Sequence, residues 1–165
     1  MTRVSVLAKA LATGTKLVEL TGGEPLLQPG VWTLMTELCD AGRTVLLETN
    51  GEADISPVDP RVHKIMDLKA PSSGEEGRMR WSNLGHITPR DEIKFVLANR
   101  EDYTWMRDVI RVYSLSTRTP NLLAGTVFGE LATRDLVRWV LEDALPVRVQ
   151  IQMHKFIWAP HTQGV

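Results

Sequence analysis

The sequence predicts an α/β domain built around a parallel β-sheet. Short apolar, β-branched segments alternate with amphipathic segments of helical period along the chain, which is the pattern of βαβ units. Several of the apolar segments end in polar or glycine-bearing clusters. Because the carboxyl ends of parallel strands lie on one face of a sheet or barrel, we expect these clusters to meet and form a site.

Length and composition fit one globular domain. A chain of 165 residues, 43% hydrophobic and 24% charged, can bury a core and is typical of a soluble protein. No fixed-period repeat or low-complexity linker divides it, so a single domain over 1–165 is expected. Its net charge of −1 is not the footprint of a protein that binds nucleic acid or an anionic membrane. No apolar run approaches the ~20 residues that cross a bilayer, and no secretory signal is recognisable, so we expect a cytoplasmic protein.

The amino-terminal half of the chain predicts two helices and three strands. Helices are predicted over 3–13 and 31–41, and strands over 17–21, 44–48 and 63–69. Both helices carry apolar residues at helical spacing and end before a glycine. The first strand is expected to be short and buried. The second is continuous in apolar character, which predicts burial on both of its faces.

The carboxyl-terminal half predicts three more strands and two more helices. The strands are predicted over 92–97, 122–127 and 147–152, and the helices over 100–114 and 133–144. Thr133 is expected to cap the last helix. Residues 70–90 are rich in glycine, serine, proline and charge and predict a long irregular stretch, of the kind that is usually functional or mobile.

The run Thr21-Gly22-Gly23-Glu24-Pro25 follows the first predicted strand directly. Paired glycines reach backbone torsions that are closed to other residues and let a ligand contact the main chain. With a carboxylate beside it, such a loop suits a ligand that carries an ammonium group. The alternative is a tight strand-to-helix turn in which Pro25 opens a helix and Glu24 lies in solvent.

Charged and polar residues lie within or beside the other strands. They are Glu48, Asn50, Asp67, Lys69 and Lys94. Asp67 and Lys69 are two residues apart and therefore share a strand face. Since buried charge is unfavourable unless it is paired or used, two interpretations stay open. Either the two form an ion pair that organises a barrel interior, or Lys69 and nearby backbone bind a ligand's carboxylate or ribose hydroxyls.

Other residue types give weaker indications. Cys39 is the one cysteine, and alone it can form neither an internal disulfide nor a zinc or iron–sulfur site, so we expect a buried packing residue. His154 follows the last strand, where a lone histidine is more often structural than a metal ligand. Trp81 and Trp158 either stack on a flat heterocycle or serve packing.

Five segments together resemble the 7-carboxy-7-deazaguanine synthases of the radical S-adenosylmethionine superfamily. The segments are TGGEPLLQ at 21–28, ETNG at 48–51, DLKAPSSGE at 67–75, DEIKFVLA at 91–98 and VQIQMHKFIW at 149–158. They follow the order of that family and spread over nearly the whole chain from residue 17. TGGEP is typical of the superfamily, and its combination with the other four segments indicates the synthases.

The resemblance implies a partial parallel (β/α) barrel of the radical S-adenosylmethionine type. It implies that a [4Fe–4S] cluster cleaves S-adenosylmethionine to a 5′-deoxyadenosyl radical, which abstracts hydrogen from 6-carboxy-5,6,7,8-tetrahydropterin. Ring contraction with loss of ammonia then gives 7-carboxy-7-deazaguanine, on the route to queuosine. Mg²⁺, a homodimer and an electron donor such as flavodoxin or ferredoxin are implied as well.

The resemblance also assigns roles to individual residues. The residues that match the cofactor-binding segments are Gly22, Gly23, Glu24, Asp67, Leu68, Lys69, Gln152, Met153, His154 and Lys155. The residues that match substrate contacts are Thr21 and, near the carboxyl terminus, Pro160.

One part of the family pattern has no match. The three cysteines of its CxxxCxxC-type cluster loop should precede the glycine motif, yet none of the roughly twenty residues before Thr21 is a cysteine. We therefore expect a synthase chain that is incomplete at its amino terminus and lacks the first strand, the cluster loop and the Mg²⁺ contact. The alternative is a non-catalytic fragment or binding remnant. An open barrel edge further predicts poor solubility or oligomerisation.

Overall fold

The computed structural model describes residues 1–159 and 162 and has at its centre a six-stranded, all-parallel β-sheet with the strand order β1-β2-β3-β4-β5-β6. The strands are β1 (Leu17–Leu20), β2 (Thr44–Thr49), β3 (His63–Leu68), β4 (Glu92–Leu97), β5 (Leu122–Thr126) and β6 (Arg148–Val149). The helices are α1 (Arg3–Ala12), α2 (Val31–Asp40), α3 (Arg100–Val112), α4 (Leu115–Arg118), α5 (Thr133–Glu142) and α6 (His154–Ile157). In the part described, β1 and β6 lie at opposite edges, so the sheet is an open part of a barrel, as predicted.

The two faces of the sheet differ in what covers them. On β2, β3 and β4, every second side chain is buried, and the intervening ones are half-exposed apart from the exposed Thr44. The buried face packs with the helices into one apolar core that includes Met35, Leu47, Phe95 and Met106. The prediction that β2 is buried on both faces is therefore wrong. Its second face carries Glu48 and belongs to the concave side of the sheet.

The edges of the sheet depart most from prediction. β1 is an edge strand, so Leu17 is 54% exposed, against the expectation of a buried strand. β6 has two residues instead of six, although Gln150 N still donates to Ala124 O at 2.8 Å. Thr133 is the first residue of α5 and not its cap. Ala132 takes the cap position without a side-chain hydrogen bond.

The stretch 70–90 has more regular structure than the predicted irregular loop, and a few buried residues anchor it although 71–78 are exposed. It contains three short 3₁₀ helices, over Pro71–Ser73, Glu76–Arg78 and Trp81–His86. Asn83 is fully buried there, donating to two backbone carbonyls and accepting from a backbone N–H of the segment after β2. Burying an amide requires such partners, and they tie this stretch to the sheet.

A buried ion pair closes the amino-terminal end of the sheet. Lys64 Nζ lies 2.9 Å from Asp91 Oδ2, and both side chains are at most 6% exposed. Asp91 also accepts from the backbone N–H groups of Lys64 and Thr88, at 2.8 and 2.7 Å. Burial raises the pKa of the Asp91 carboxyl, but the hydrogen bonds from Lys64 and Thr88 outweigh it, and the net pKa lies below its usual value.

Within the described residues, no helix combines the length and the apolar character needed to cross a membrane.

Candidate active site

The glycine loop after β1 has the backbone conformation that the motif predicts. Gly22 and Gly23 have φ values of +89° and +57°, a region that side-chain-bearing residues rarely adopt. A Cβ at either position would meet no described atom within 4 Å. The glycines are therefore required by the backbone torsions rather than by lack of room, and the loop leaves open space beside its main chain.

Glu24 holds this loop against the end of β2. Its side chain is buried, at 9% exposure. One carboxylate oxygen accepts from Leu26 N at 3.0 Å, and the other accepts from Thr49 Oγ1 at 2.9 Å and Asn50 N at 2.7 Å. Pro25 opens a 3₁₀ helix, as the turn alternative predicted, but Glu24 does not lie in solvent. Both carboxylate oxygens of Glu24 are thus engaged within the protein. A contact between Glu24 and a cofactor stays a prediction.

A second carboxylate, Glu48, lies on the concave face and is held from two sides. Thr21 Oγ1 donates to one of its oxygens and Lys94 Nζ to the other, each at 2.8 Å. The three residues come from the ends or interiors of β1, β2 and β4, separated by up to 46 positions in sequence. Thr21 therefore lies in the site, while its predicted contact with substrate stays a prediction.

Asp67 and Lys69 share a face, as their spacing predicted, and form the ion pair of the first interpretation, with Lys69 Nζ 2.7 Å from Asp67 Oδ2. Ligand binding by Lys69 stays a prediction. The other Asp67 oxygen, Oδ1, is buried and has no hydrogen-bond partner among the described residues. Unsatisfied buried acceptors are rare because they lose hydration without compensation. Asp67 Oδ1 is thus a free acceptor at the site, and it suits a ligand donor.

The charges of the concave face are interdependent. Burial raises the pKa of the Glu48 carboxyl, but the Lys94 ammonium and the Thr21 hydroxyl outweigh this, and the net pKa is lowered. Burial lowers the pKa of the Lys94 ammonium, while Glu48 more than compensates, and the net pKa is raised. Glu19, on the same face of β1, has a raised pKa because of burial and the nearby Glu48 charge.

The lowered pKa of the Glu48 carboxyl predicts that the folded protein loses stability in acid. A carboxyl whose pKa is depressed by folding stabilises the native state above its unfolded pKa, ordinarily 4.5, and loses that contribution as the pH falls below it. The variant Glu48→Gln cannot titrate. Urea denaturation at neutral pH and at about pH 3.5 should give a smaller pH-dependent change in the free energy of unfolding for the variant than for the parent. An equal change in both proteins would contradict the assignment.

Three clefts adjoin along the concave face. A cleft of about 230 Å³ is lined by the glycine loop and by Glu48, Asp67, Lys69 and Lys94. A larger one of about 560 Å³ shares Glu48 and Lys94 with it. The third, of about 330 Å³, lies beside Asp67 and Lys69. The clefts thus connect most of the strand-end residues that were predicted to lie together.

The remaining predicted site residues are distributed differently. Gln152 and Met153 line the larger cleft, whereas the Leu68 side chain is 2% exposed and belongs to the core. The Lys155 ammonium lies 5.4 Å from the ring centroid of Phe128. The side chain of His154 and all of Pro160 lie outside the part of the chain that the structure describes.

Two residues of the larger cleft were missed by sequence reasoning. Glu19 was read as part of an apolar strand, although its alternation with Val18 and Leu20 would have indicated the opposite face. Gly125 faces the cleft in the middle of β5, where an added Cβ would lie 3.2 Å from Gln150 O. A glycine inside a strand is the signal for such a close backbone approach.

The described residues do not fit an iron–sulfur cluster. The chain has one cysteine, Cys39, which lies half-buried on α2 and packs partly against the core. Burial is the main cause of the raised pKa of its thiol, which favours the protonated form that metals do not bind. Nowhere in the described part do three or more histidine, cysteine, aspartate or glutamate side chains converge on a possible metal position.

The fold and the site together define a class of protein. No family model matches the chain. Its fold is similar to that of QueE from Escherichia coli, with a TM-score of 0.67, 19% identity and coverage of 91% of this chain and 64% of that one. It is also similar to Streptococcus suis SuiB bound to S-adenosylmethionine, with a TM-score of 0.59, 12% identity and coverage of 91% and 40%. The chain shares the open, parallel α/β fold of these two structures.

Sequence relatives give the family. The 7-carboxy-7-deazaguanine synthase of Chlorobaculum tepidum is 44% identical over all of this chain and 76% of its own length. Those of Koribacter versatilis and Clostridium acetobutylicum are 43% and 36% identical, over 90% and 100% of this chain and 72% and 76% of their own lengths. The chain belongs to the 7-carboxy-7-deazaguanine synthase family, as the five sequence segments predicted.

Proposed function

We propose that this chain acts in the synthesis of 7-carboxy-7-deazaguanine by binding S-adenosylmethionine and 6-carboxy-5,6,7,8-tetrahydropterin at the carboxyl ends of its strands. The observation that supports this proposal is the connected site itself. In a member of the synthase family, it brings the open glycine loop together with Asp67, Lys69 and the hydrogen-bonded Glu48.

The residues present fit S-adenosylmethionine. The cofactor carries an ammonium group, a carboxylate, a sulfonium and ribose hydroxyls. Asp67 Oδ1 offers a buried acceptor that has no partner in the described part of the chain, and Lys69 offers a cation beside it. The backbone of Gly22 and Gly23 is open to close approach. When bound and cleaved by one electron from the family's cluster, S-adenosylmethionine would supply the radical that abstracts hydrogen from the pterin. This chain's own residues would bind and orient the two molecules.

Because the described residues do not fit a cluster, we assign no chemical step to a cluster in this chain, and we assign none to Mg²⁺. The electron donor, the homodimer, the lyase activity and the cytoplasmic location remain proposals that rest on the family alone. The single cysteine favours a second candidate function, a binding protein without cluster chemistry. The two candidates agree on the ligands. They differ in whether the chain takes part in turnover, for which it would need cluster ligands that its described residues do not supply.

The ligand proposal predicts that the purified chain binds S-adenosylmethionine and that Lys69→Met weakens this binding about 10-fold, the loss of one charged contact. Isothermal titration calorimetry measures both affinities. Lys16→Met is the matched control, because Lys16 is an exposed lysine just before β1 and away from the strand ends. Its affinity should equal that of the parent. Equal affinities for all three proteins would refute the assignment of Lys69.

Cluster chemistry is tested separately. After incubation with iron and sulfide under anaerobic conditions, this 165-residue chain should show no broad visible absorption and no reductive cleavage of S-adenosylmethionine. The Chlorobaculum tepidum relative is the positive control for the procedure. Absorption and cleavage in this chain would remove the second candidate and overturn the statement that its residues do not fit a cluster.

A further inference from the structure

Glu48 and Lys94 occupy the junction of the site. They are the two residues that line both the 560 Å³ cleft and the 230 Å³ cleft beside the glycine loop. A group at this position can contact a ligand in the larger cleft while the smaller one is filled. Neither residue is among those that the family resemblance assigns to cofactor or substrate.

The carboxylate of Glu48 can accept hydrogen bonds from two further donors. Each carboxylate oxygen accepts one bond, from Thr21 Oγ1 on one side and from Lys94 Nζ on the other. A carboxylate has about four acceptor positions, so each oxygen retains capacity. The two existing donors come from different strands and hold the carboxylate plane in one orientation. With its side chain 33% exposed, Glu48 remains accessible from the cleft.

A pair of parallel N–H donors on a planar ring complements such a carboxylate. The 2-amino-4-oxopyrimidine ring of a pterin presents this pair, from its ring N3–H and its exocyclic amino group. The larger cleft also offers apolar surface for a flat ring, from Ile157 and Trp158. A ring that carries a carbonyl in place of the amino group would direct an acceptor at the carboxylate and be repelled.

We propose that Glu48 determines specificity for the pterin by accepting its paired N–H groups, and that Lys94 is the positioning residue that keeps Glu48 oriented and ionised. The inference deepens the proposed function and rests on it. Besides each other, the charged groups near the pair are Glu19 from β1 and Lys69, which act on Glu48, and Asp67, which acts on Lys94. Of these residues and Lys94, only Lys94 bonds to Glu48 directly.

The test uses two fluorescent ring systems with the full chain in the presence of S-adenosylmethionine. One is 6-carboxypterin, and the other is 6-carboxylumazine, which has a carbonyl at the position of the amino group. Fluorescence anisotropy titrations should show that the parent prefers the pterin by about 30-fold or more. Glu48→Gln should reduce pterin affinity about 30-fold and abolish the preference. Far-UV circular dichroism verifies that each variant is folded.

Lys94 is tested by a pair of variants and a pH profile. Lys94→Met should weaken pterin binding about 10-fold and shift the acid limb of the binding profile to higher pH, because Glu48 keeps its burial but loses the ammonium. Lys94→Arg should restore both the affinity and the profile. Glu92→Gln is the control, a carboxylate on the same face of β4 that pairs with Arg148 at the other end of the strand. It should behave as the parent.

The outcomes separate the two levels of proposal. Equal binding of both rings by the parent, or an unchanged preference in Glu48→Gln, overturns the role of Glu48 and leaves pterin binding in place. An unchanged affinity and pH profile in Lys94→Met overturns the positioning role. If the parent binds S-adenosylmethionine but neither ring, both this inference and the pterin part of the proposed function are refuted.

Discussion

Replacing Asp91 by alanine is expected to lower the free energy of unfolding by about 4 kcal/mol, since removal of one partner strands a buried charge. The Lys64 ammonium would be left 6% exposed without a counterion. The backbone N–H groups of Lys64 and Thr88 would lose their acceptor as well. Urea denaturation followed by fluorescence of the five tryptophans measures the change as a lower midpoint.

A surface carboxylate provides the control for Asp91. Glu75 pairs with Arg78, but the two side chains are 49% and 68% exposed. Glu75→Ala should therefore change stability by less than about 1 kcal/mol. In the double variant Lys64→Met/Asp91→Ala no charge is stranded, so part of the loss should be recovered. If Asp91→Ala lowers the free energy of unfolding by less than about 1.5 kcal/mol, the Lys64–Asp91 pair does not make the expected contribution to stability.

The second large effect is expected at Glu24. Glu24→Ala removes the shared acceptor of Leu26 N, Thr49 Oγ1 and Asn50 N, and it should lower the free energy of unfolding by about 3 kcal/mol. Because these bonds attach the glycine loop to β2, S-adenosylmethionine binding should weaken along with stability. Urea denaturation and isothermal titration calorimetry give the two quantities.

Two further variants sharpen the test of Glu24. Glu24→Gln keeps the shape of the side chain but has one acceptor oxygen. Its free energy of unfolding should therefore lie between those of the parent and Glu24→Ala. Glu52→Ala alters a half-buried acid of the neighbouring loop and should leave both stability and binding nearly unchanged. Should Glu24→Ala lose stability while keeping full affinity for the cofactor, the loop would not depend on this carboxylate for its binding geometry.

Much of this architecture could be predicted because its signals are local. The glycine pair predicted a loop with positive φ, and Gly22 and Gly23 have it. The spacing of Asp67 and Lys69 predicted a common face, and the two side chains are paired. Hydrophobic periodicity gave the order of the main strands and helices, with errors at β6 and at the cap of α5, because the ends of elements are the part that local pattern determines least.

The identity of the chain also depended on sequence alone, since five short segments in order indicated the family before any fold was available. Their physical basis is that each segment follows a strand or forms one, so local pattern and function coincide. The same comparison of residues showed that the cluster cysteines have no counterpart here, because counting cysteines requires no coordinates.

Only the tertiary structure decided how the charged residues are used. Glu24 was predicted to meet a ligand or solvent, but it is buried against Thr49 and Asn50, about 25 positions away. Glu48 bonds to Lys94 across 46 positions. Such partners are set by the register between parallel strands that helices separate, and no local pattern encodes that register. The sequence by itself determined the family and the strand-end loop, and the pairing of distant strands decided which carboxylates hold the fold and which remain open to a ligand.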